Sequence, residues 1–207
     1  MVPSVERYVP SLENVGAPGV PGVVPWAAPL GVGASEQIAN FARAGYKPLD
    51  WQWAFHRAAR EADFAGGPIY FGLGGARGPG KTTAVFAQCG ADDAIRRPGL
   101  NILYLRKSLL SLKETLAQKL ATMLPPDRLG YVYKEHQGLM EYANGSRIKI
   151  LHFESESDID KHLGQEWDVV VVEEATTLSE TKLEFMKSCV RTTKPNWRPR
   201  WYWTFNP

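Results

Sequence analysis

One glycine-rich stretch restricts this chain more than any other. "GGARGPGKTT", Gly74 to Thr83, follows the apolar run "PIYFGL" and precedes "AVFAQ". Gly75, Gly80, Lys81 and Thr82 satisfy the spacing G-x-x-x-x-G-K-[ST], with a strand-like run before it and a helical run after it, the setting that the pattern requires. The residue types follow from the work. Glycines let successive backbone N–H groups curl around a phosphate, and the helix N-terminus adds its positive dipole end. Lys81 is placed to reach the β- and γ-phosphates and the Thr82 hydroxyl to ligate Mg²⁺. The predicted ATP site is therefore the run Gly75, Ala76, Arg77, Gly78, Pro79, Gly80, Lys81, Thr82 and Thr83. Arg77 is unusual inside such a loop: it either meets the γ-phosphate and stabilises charge that develops in the transition state, or stands as a solvated loop arginine.

The rest of the chain alternates strands and helices. "LDWQWAFHRAAREADF" (49–64) has helical spacing, with Leu49, Trp53, His56 and Arg60 on successive turns. "PIYFGL" (68–73), "NILYLR" (101–106) and "RWYWTF" (200–205) read as strands, and a helix starts at about Lys81. "SLLSLKETLAQKLATMLPP" reads as an amphipathic helix ended by Pro125 and Pro126, and "LSETKLEFMKSCVR" as another helix. Asn144-Gly145 within "LMEYANGSRIKILHF" is a strong hairpin signal. The unbroken valines of "DVVVVEEA" (168–175) read as a strand buried on both faces. Such alternation specifies an α/β fold with a mostly parallel central sheet.

Hydrolysis needs more than a phosphate cradle, and that buried strand supplies the rest. Glu173 and Glu174 fall at its C-terminal end, where open α/β sheets place their ligands. By position Glu173 would hold Mg²⁺, through water, and Glu174 would polarise the attacking water. Adjacent carboxylates favour an ATPase that couples hydrolysis to motion over a nucleotide kinase.

Bulk properties exclude little. The 44% hydrophobic and 22% charged composition is that of an ordinary globular chain, and a net charge of +2 does not announce a nucleic-acid binder. Cys89 and Cys189 lack metal-ligand spacing and read as free thiols of a reducing compartment. The uncharged stretch from Asn14 to Ser35 carries Pro18, Pro21, Pro25 and Pro29, so no membrane helix is expected from it. Residues 1–35 read as a flexible Pro/Gly-rich arm and 36–207 as the ATPase domain.

These residues, in this order, resemble the ATPase domain of the large terminase subunit of tailed bacteriophages, the motor that packages DNA. "LDWQWAF" looks like that family's adenine-binding segment, with Gln52 in the glutamine position and Trp51 beside it. "GGARGPGKTT" is similar to its Walker A loops, in which an arginine is frequent, and "VVVVEEA" to its Walker B run. "TFNP" (204–207) resembles its coupling motif, which makes Thr204, Asn206 and Pro207 sensors of the γ-phosphate. The resemblance covers about Leu49 to Pro207. Two positions depart from the family pattern: Glu173 stands where Asp is common, and Leu163 where an arginine often precedes the glycine. A trans-acting arginine is therefore not assignable, and Arg147, Lys161 and Arg106 are no more than candidates.

The resemblance implies a RecA-like (ASCE) P-loop NTPase, a three-layer sandwich that hydrolyses ATP with Mg²⁺ and moves double-stranded DNA into a procapsid. It implies a homo-oligomeric ring, a portal protein and a small terminase subunit as partners, and the host cytoplasm with transient residence at the procapsid portal. Two alternatives stand beside it: a helicase-like nucleic-acid-dependent ATPase, and a nucleotide-binding module without turnover. The ATPase domain reads as incomplete at its C-terminus, so this chain is expected to bind ATP better than it hydrolyses it and to lack nuclease activity. "ESESDID" (154–160) reads as a solvated loop. Trp197, Trp201 and Trp203 read as part of a buried strand, while Arg191, Lys194, Arg198 and Arg200 stay open as contacts to a DNA backbone.

Overall fold

In the computed structural model the described residues are 34–76, 78, 80–107, 122–162 and 164–206. Arg77, Pro79, Leu163 and Pro207 lie outside them, as do residues 1–33 and most of the amphipathic stretch 108–126.

Helices α1 (Ala34–Ala44) and α2 (Asp50–Glu61) precede strand β1 (Tyr70–Leu73). The glycine-rich loop leads into α3 (Lys81–Ala87), which continues as a π-helical segment (Gln88–Asp93) and a short α4 (Ala94–Arg96). Then come β2 (Asn101–Lys107), α5 (Pro126–Leu129), β3 (Tyr131–Lys134), β4 (Leu139–Tyr142) and β5 (Arg147–Phe153). The order ends with α6 (Glu156–Asp160), β6 (Val169–Val172), α7 (Glu180–Lys187) and β7 (Arg200–Thr204).

The seven strands form one sheet in the order β1-β7-β6-β2-β5-β4-β3. β1, β7, β6, β2 and β5 run parallel, and β4 and β3 are antiparallel at one edge. β7 sits between the loop strand β1 and the acidic strand β6, pairing Leu73 with Thr204 and Val172 with Trp203. That inserted strand is what separates RecA-like sheets from folds whose loop and acidic strands are neighbours.

Strand alternation divides the core in two. Val169 and Val171 of β6 join Ile102, Tyr104, Tyr202 and the residues of α1, α2 and α3 on one face. Val170 and Val172 join Leu103, Leu105, Trp201, Ile159 and Met186 on the other. Helices thus cover both faces, which is why β6 is valine throughout and shows no polar face. At about 25 cal/mol per Å² of apolar surface buried, each fully buried valine contributes on the order of 1.5 kcal/mol.

Several sequence expectations move. Helix α2 begins at Asp50, so Leu49 is its N-cap, 57% exposed, and the buried face runs through Gln52, Phe55, His56 and Ala59. α1 starts at Ala34, two residues inside the stretch read as an arm. "ESESDID" is not a loop: Ser155 and Asp158 close a capping box that starts α6. β3 is an element that the sequence did not announce.

The basic tail is corrected most. Arg200 is fully buried, its guanidinium 3.8 Å from the Trp197 ring centroid, donating 2.6 Å to the Ala59 carbonyl and paired with Asp63 and Asp93. Arg198 caps the Ala62, Phe64 and Gly67 carbonyls, and Lys194 pairs with Asp168 at 2.7 Å. Arg200 is thus engaged inside the protein, while Lys194 and Arg198 are half-buried and held by these partners. Trp197 and Trp201 are buried, as expected of a strand that enters the core.

Candidate active site

The chemistry gathers at the C-terminal edge of the parallel strands. β1 delivers the loop, β7 delivers Thr204 and Asn206, and β6 delivers Glu173 and Glu174. Gly75, Gly78 and Gly80 have φ of 122°, 91° and 85°, a region that side chains with a Cβ rarely adopt, so the loop's path requires glycine at all three. Gly80 is the N-cap of α3, which orients the first free N–H groups of that helix toward the loop. Thr82 and Thr83 are half-buried in its first turn.

Lys81 is buried, and all three of its ammonium hydrogens have partners. Nζ donates 2.7 Å to the Gly75 carbonyl, 2.7 Å to the Ala76 carbonyl and 3.0 Å to Asn206 Oδ1. Burial draws its pKa below the ordinary lysine value, against an opposing pull from the Glu174 carboxylate. The lysine therefore sits between the loop, β7 and the acidic pair.

The two glutamates occupy different environments. Glu173 is 2% exposed; Oε2 pairs with Arg106 Nη1 at 3.2 Å. Its Oε1 and the Tyr104 hydroxyl are both buried without a well-formed hydrogen bond, and the Tyr104 and Glu173 side chains act on each other. Burial, and then the Glu173 charge, raise the Tyr104 phenol well above its usual pKa. Glu174 is exposed and left-handed, with φ 53° and ψ 49°, and its backbone N–H donates 3.2 Å to Thr204 Oγ1. A non-glycine residue held in that region stores about 1–3 kcal/mol of strain, and such positions concentrate at functional sites.

A divalent cation fits this donor set. A buried carboxylate oxygen without a well-formed hydrogen bond, Glu173 Oε1, is what a hard cation or its water shell satisfies, and Thr82 supplies a hydroxyl at the start of α3. No cluster of three or more His, Cys, Asp or Glu residues suited to a metal occurs among the described residues. A site that shares its metal with phosphate oxygens needs only one carboxylate.

No protein-family model matches the sequence, and no curated protein does. Solved structures do match. The large terminase of the thermophilic bacteriophage D6E aligns with a TM-score of 0.61 at 15% identity, over 78% of this chain and 40% of that chain. A mutant of the large terminase ATPase domain from Thermus phage P74-26 gives 0.54 at 15% identity, over 81% and 68%. The large terminase of bacteriophage HK97 gives 0.56 at 15% identity, over 77% and 33%.

The fold is that of the large terminase ATPase domain. The chain spans less than half the length of the D6E and HK97 proteins it matches.

On that terminase fold, the motif residues distribute as follows. Lys81, Asn206, Thr204 and Glu174 are linked by direct hydrogen bonds or by charge, and Glu173 lies one residue before Glu174, just past the end of β6. Arg77, Pro79 and Pro207 lie outside the described residues. Trp51 is half-buried against the core. Gln52 is 3% exposed, its amide donating 3.1 Å to the Gly80 carbonyl. Of the three arginine-finger candidates, Arg106 is held by Glu173 and Arg147 donates to Asn101 Oδ1 at 2.9 Å. Lys161 is exposed.

Sequence reasoning missed one participant, Tyr46, and gave Arg106 a different role, that of a candidate trans-acting arginine. Arg106 ends β2 beside β6, and only the sheet order brings it to Glu173. Tyr46 lies in the turn before α2 and donates 3.0 Å to Gln52 Oε1, a contact with no sequence signature.

Proposed function

We propose that this chain is the ATP-hydrolysing domain of a phage packaging motor, one that turns ATP cleavage into movement of double-stranded DNA into a procapsid. The observation that carries the reading is the position of Lys81 Nζ, bonded at once to the loop carbonyls of Gly75 and Ala76 and to Asn206 at the end of β7. A phosphate that enters the loop competes for the same ammonium, so its arrival and departure are felt at β7.

Each residue then has a task. The loop N–H groups and Lys81 bind the β- and γ-phosphates, and Trp51 and Gln52 lie on the helix that flanks the loop. Thr82 and Glu173 would hold Mg²⁺, which neutralises charge on the phosphate oxygens. Glu174, exposed at the strand end, orients and deprotonates the attacking water. Arg77 stabilises charge on the transferring phosphoryl group. Thr204 fixes the backbone of Glu174, and Asn206 offers a donor and an acceptor where the γ-phosphate ends.

The same reading assigns as partners a portal protein, a small terminase subunit and further copies of this chain in a ring, with work done in the host cytoplasm. No helix among the described residues is long and apolar enough to cross a membrane. Phosphate release with and without duplex DNA tests the proposal. Stimulation by duplex without strand separation supports packaging, and strand separation supports a helicase-like motor. ATP binding lost in Lys81→Ala, from a wild type that never releases phosphate, supports a binding module.

A further inference from the structure

The glutamine before the loop is bound inside the protein at both ends of its amide, with one Nε2 hydrogen left over. Gln52 is 3% exposed, and its amide is committed on both sides. Oε1 accepts the Leu49 backbone N–H at 2.8 Å and faces the Tyr46 hydroxyl at 3.0 Å. Nε2 donates 3.1 Å to the carbonyl of Gly80, the residue that turns the loop into α3. The orientation of the amide is fixed by chemistry, because Leu49 N–H can only donate and the Gly80 carbonyl can only accept.

The fit at Gly80 is close as well as polar. A Cβ built there would lie 2.9 Å from Gln52 Nε2, so the loop backbone rests directly on the glutamine amide. Gly80 precedes Lys81, and its carbonyl accepts the first α3 hydrogen bond, from Ala84 N–H at 2.9 Å. Fixing that carbonyl therefore fixes both the start of the helix and the backbone that carries Lys81.

The other end of the amide is anchored deep in the protein. Tyr46 OH lies 3.1 Å from His56 Nε2, and His56 Nδ1 lies 2.8 Å from Gln88 Oε1. The Gln88 amide donates to Asp92 and Asp93, which orients its oxygen toward His56. A neutral His56 must then place its one proton on Nδ1, so its Nε2 and Gln52 Oε1 share access to the single Tyr46 hydroxyl proton. Asp93 accepts from the Tyr202 hydroxyl at 3.0 Å, so the chain of contacts ends on β7, the strand that carries Thr204 and Asn206.

We infer that Gln52 is a positioning residue for the phosphate loop, holding Gly80 from behind through a buried hydrogen-bonded chain. This rests on the nucleotide-binding reading given above. Its consequence is that Gln52 contributes equally to every ligand that fills the loop, with or without a base.

Inorganic tripolyphosphate, which has no base, separates positioning from base recognition. In Gln52→Glu the shape and the acceptor for Leu49 are kept, while an oxygen replaces the donor that faces the Gly80 carbonyl. ATP and tripolyphosphate should each lose affinity by about tenfold, the cost of one buried donor replaced by an unsatisfied acceptor. Protonation of the introduced carboxylate restores a donor, so the deficit against wild type should shrink for both ligands as the pH falls. Tyr46→Phe, which keeps the ring and the Leu49 contact, should weaken both ligands by one smaller, common factor. A loss confined to ATP, with tripolyphosphate unchanged, overturns the inference in favour of base recognition. No loss for either ligand overturns it too. A wild-type chain that binds neither ligand removes the nucleotide reading itself, and this inference with it.

Discussion

Lys81 and Asn206 lie 125 residues apart in sequence and 3.0 Å apart in space, the ammonium of one donating to the side-chain oxygen of the other. The contact joins the loop after β1 to the end of β7 across two neighbouring parallel strands.

Asn206→Ala removes this contact and leaves Lys81 with its two loop carbonyls. Turnover should fall by about 10- to 100-fold, the worth of one hydrogen bond to a charged group, while ATP affinity stays within about threefold. Lys81→Ala should instead cost about 100- to 1,000-fold in turnover and abolish tight ATP binding. Single-turnover phosphate release beside equilibrium binding distinguishes the two patterns; equal loss of affinity in both variants would contradict the separation of roles.

Glu174→Gln keeps the size of the side chain and removes its basicity. Phosphate release should drop by about 100- to 10,000-fold with ATP binding retained. Because Glu174 sits at φ 53°, Glu174→Gly relieves strain, and its urea midpoint should equal or exceed that of wild type. Inactivity of that variant then reflects lost chemistry and not lost folding. A lower midpoint would show that the left-handed turn is not strained.

His56 makes stability depend on pH. Burial lowers its pKa from the ordinary 6.5 to about 4, with Gln88 and Asp92 opposing. Below pH 6.5 the unfolded chain takes up a proton that the folded chain refuses, so stability present at neutral pH is lost as the pH falls toward 4. The loss reaches about 3 kcal/mol by the lower limit. Urea titrations at pH 7 and pH 4.5 should show this decline in wild type and a shallower one in His56→Gln. Parallel declines would assign the effect to other groups.

Arg200→Ala takes from fully buried Asp93 one of its two cations, leaving Arg96, strips Asp63 of a partner and removes the donor to Ala59. The expected destabilisation is about 3–5 kcal/mol, enough to unfold many domains of this size. Arg200→Met with Asp93→Asn should recover part of it, since both charges of that pair then go together. A single variant that unfolds at the wild-type urea concentration would contradict a structural role for this pair.

Much of the site can be read from local pattern because its chemistry is local. The loop, the acidic pair and the Thr204–Asn206 segment each occupy a few consecutive residues whose spacing is fixed by a phosphate or by a strand end. β6 is legible because burial on both faces demands an unbroken apolar run. Arg200 is not legible. A basic residue among prolines and tryptophans reads as surface, and only the return of β7 beneath α2 brings it to Asp63 and Asp93. Gln52 fails for the same reason in reverse: its place before the loop is visible, but its burial and its bond to the Gly80 carbonyl depend on how α2 packs. Short antiparallel β3 carries the strand-favouring Tyr131, Val132 and Tyr133, but a run of four residues is too short to stand out from the connections around it.

The insertion of β7 between β1 and β6 also sets an order of events during synthesis. β1 pairs with β7 alone, and the ribosome makes β7 after every other described strand. Until Thr204 has emerged, the glycine loop hangs on an unpaired strand, and Glu174 lacks the hydroxyl that holds its backbone. A nascent chain thus carries both halves of the nucleotide site without their being joined. Completion of the sheet is the event that brings the two halves together.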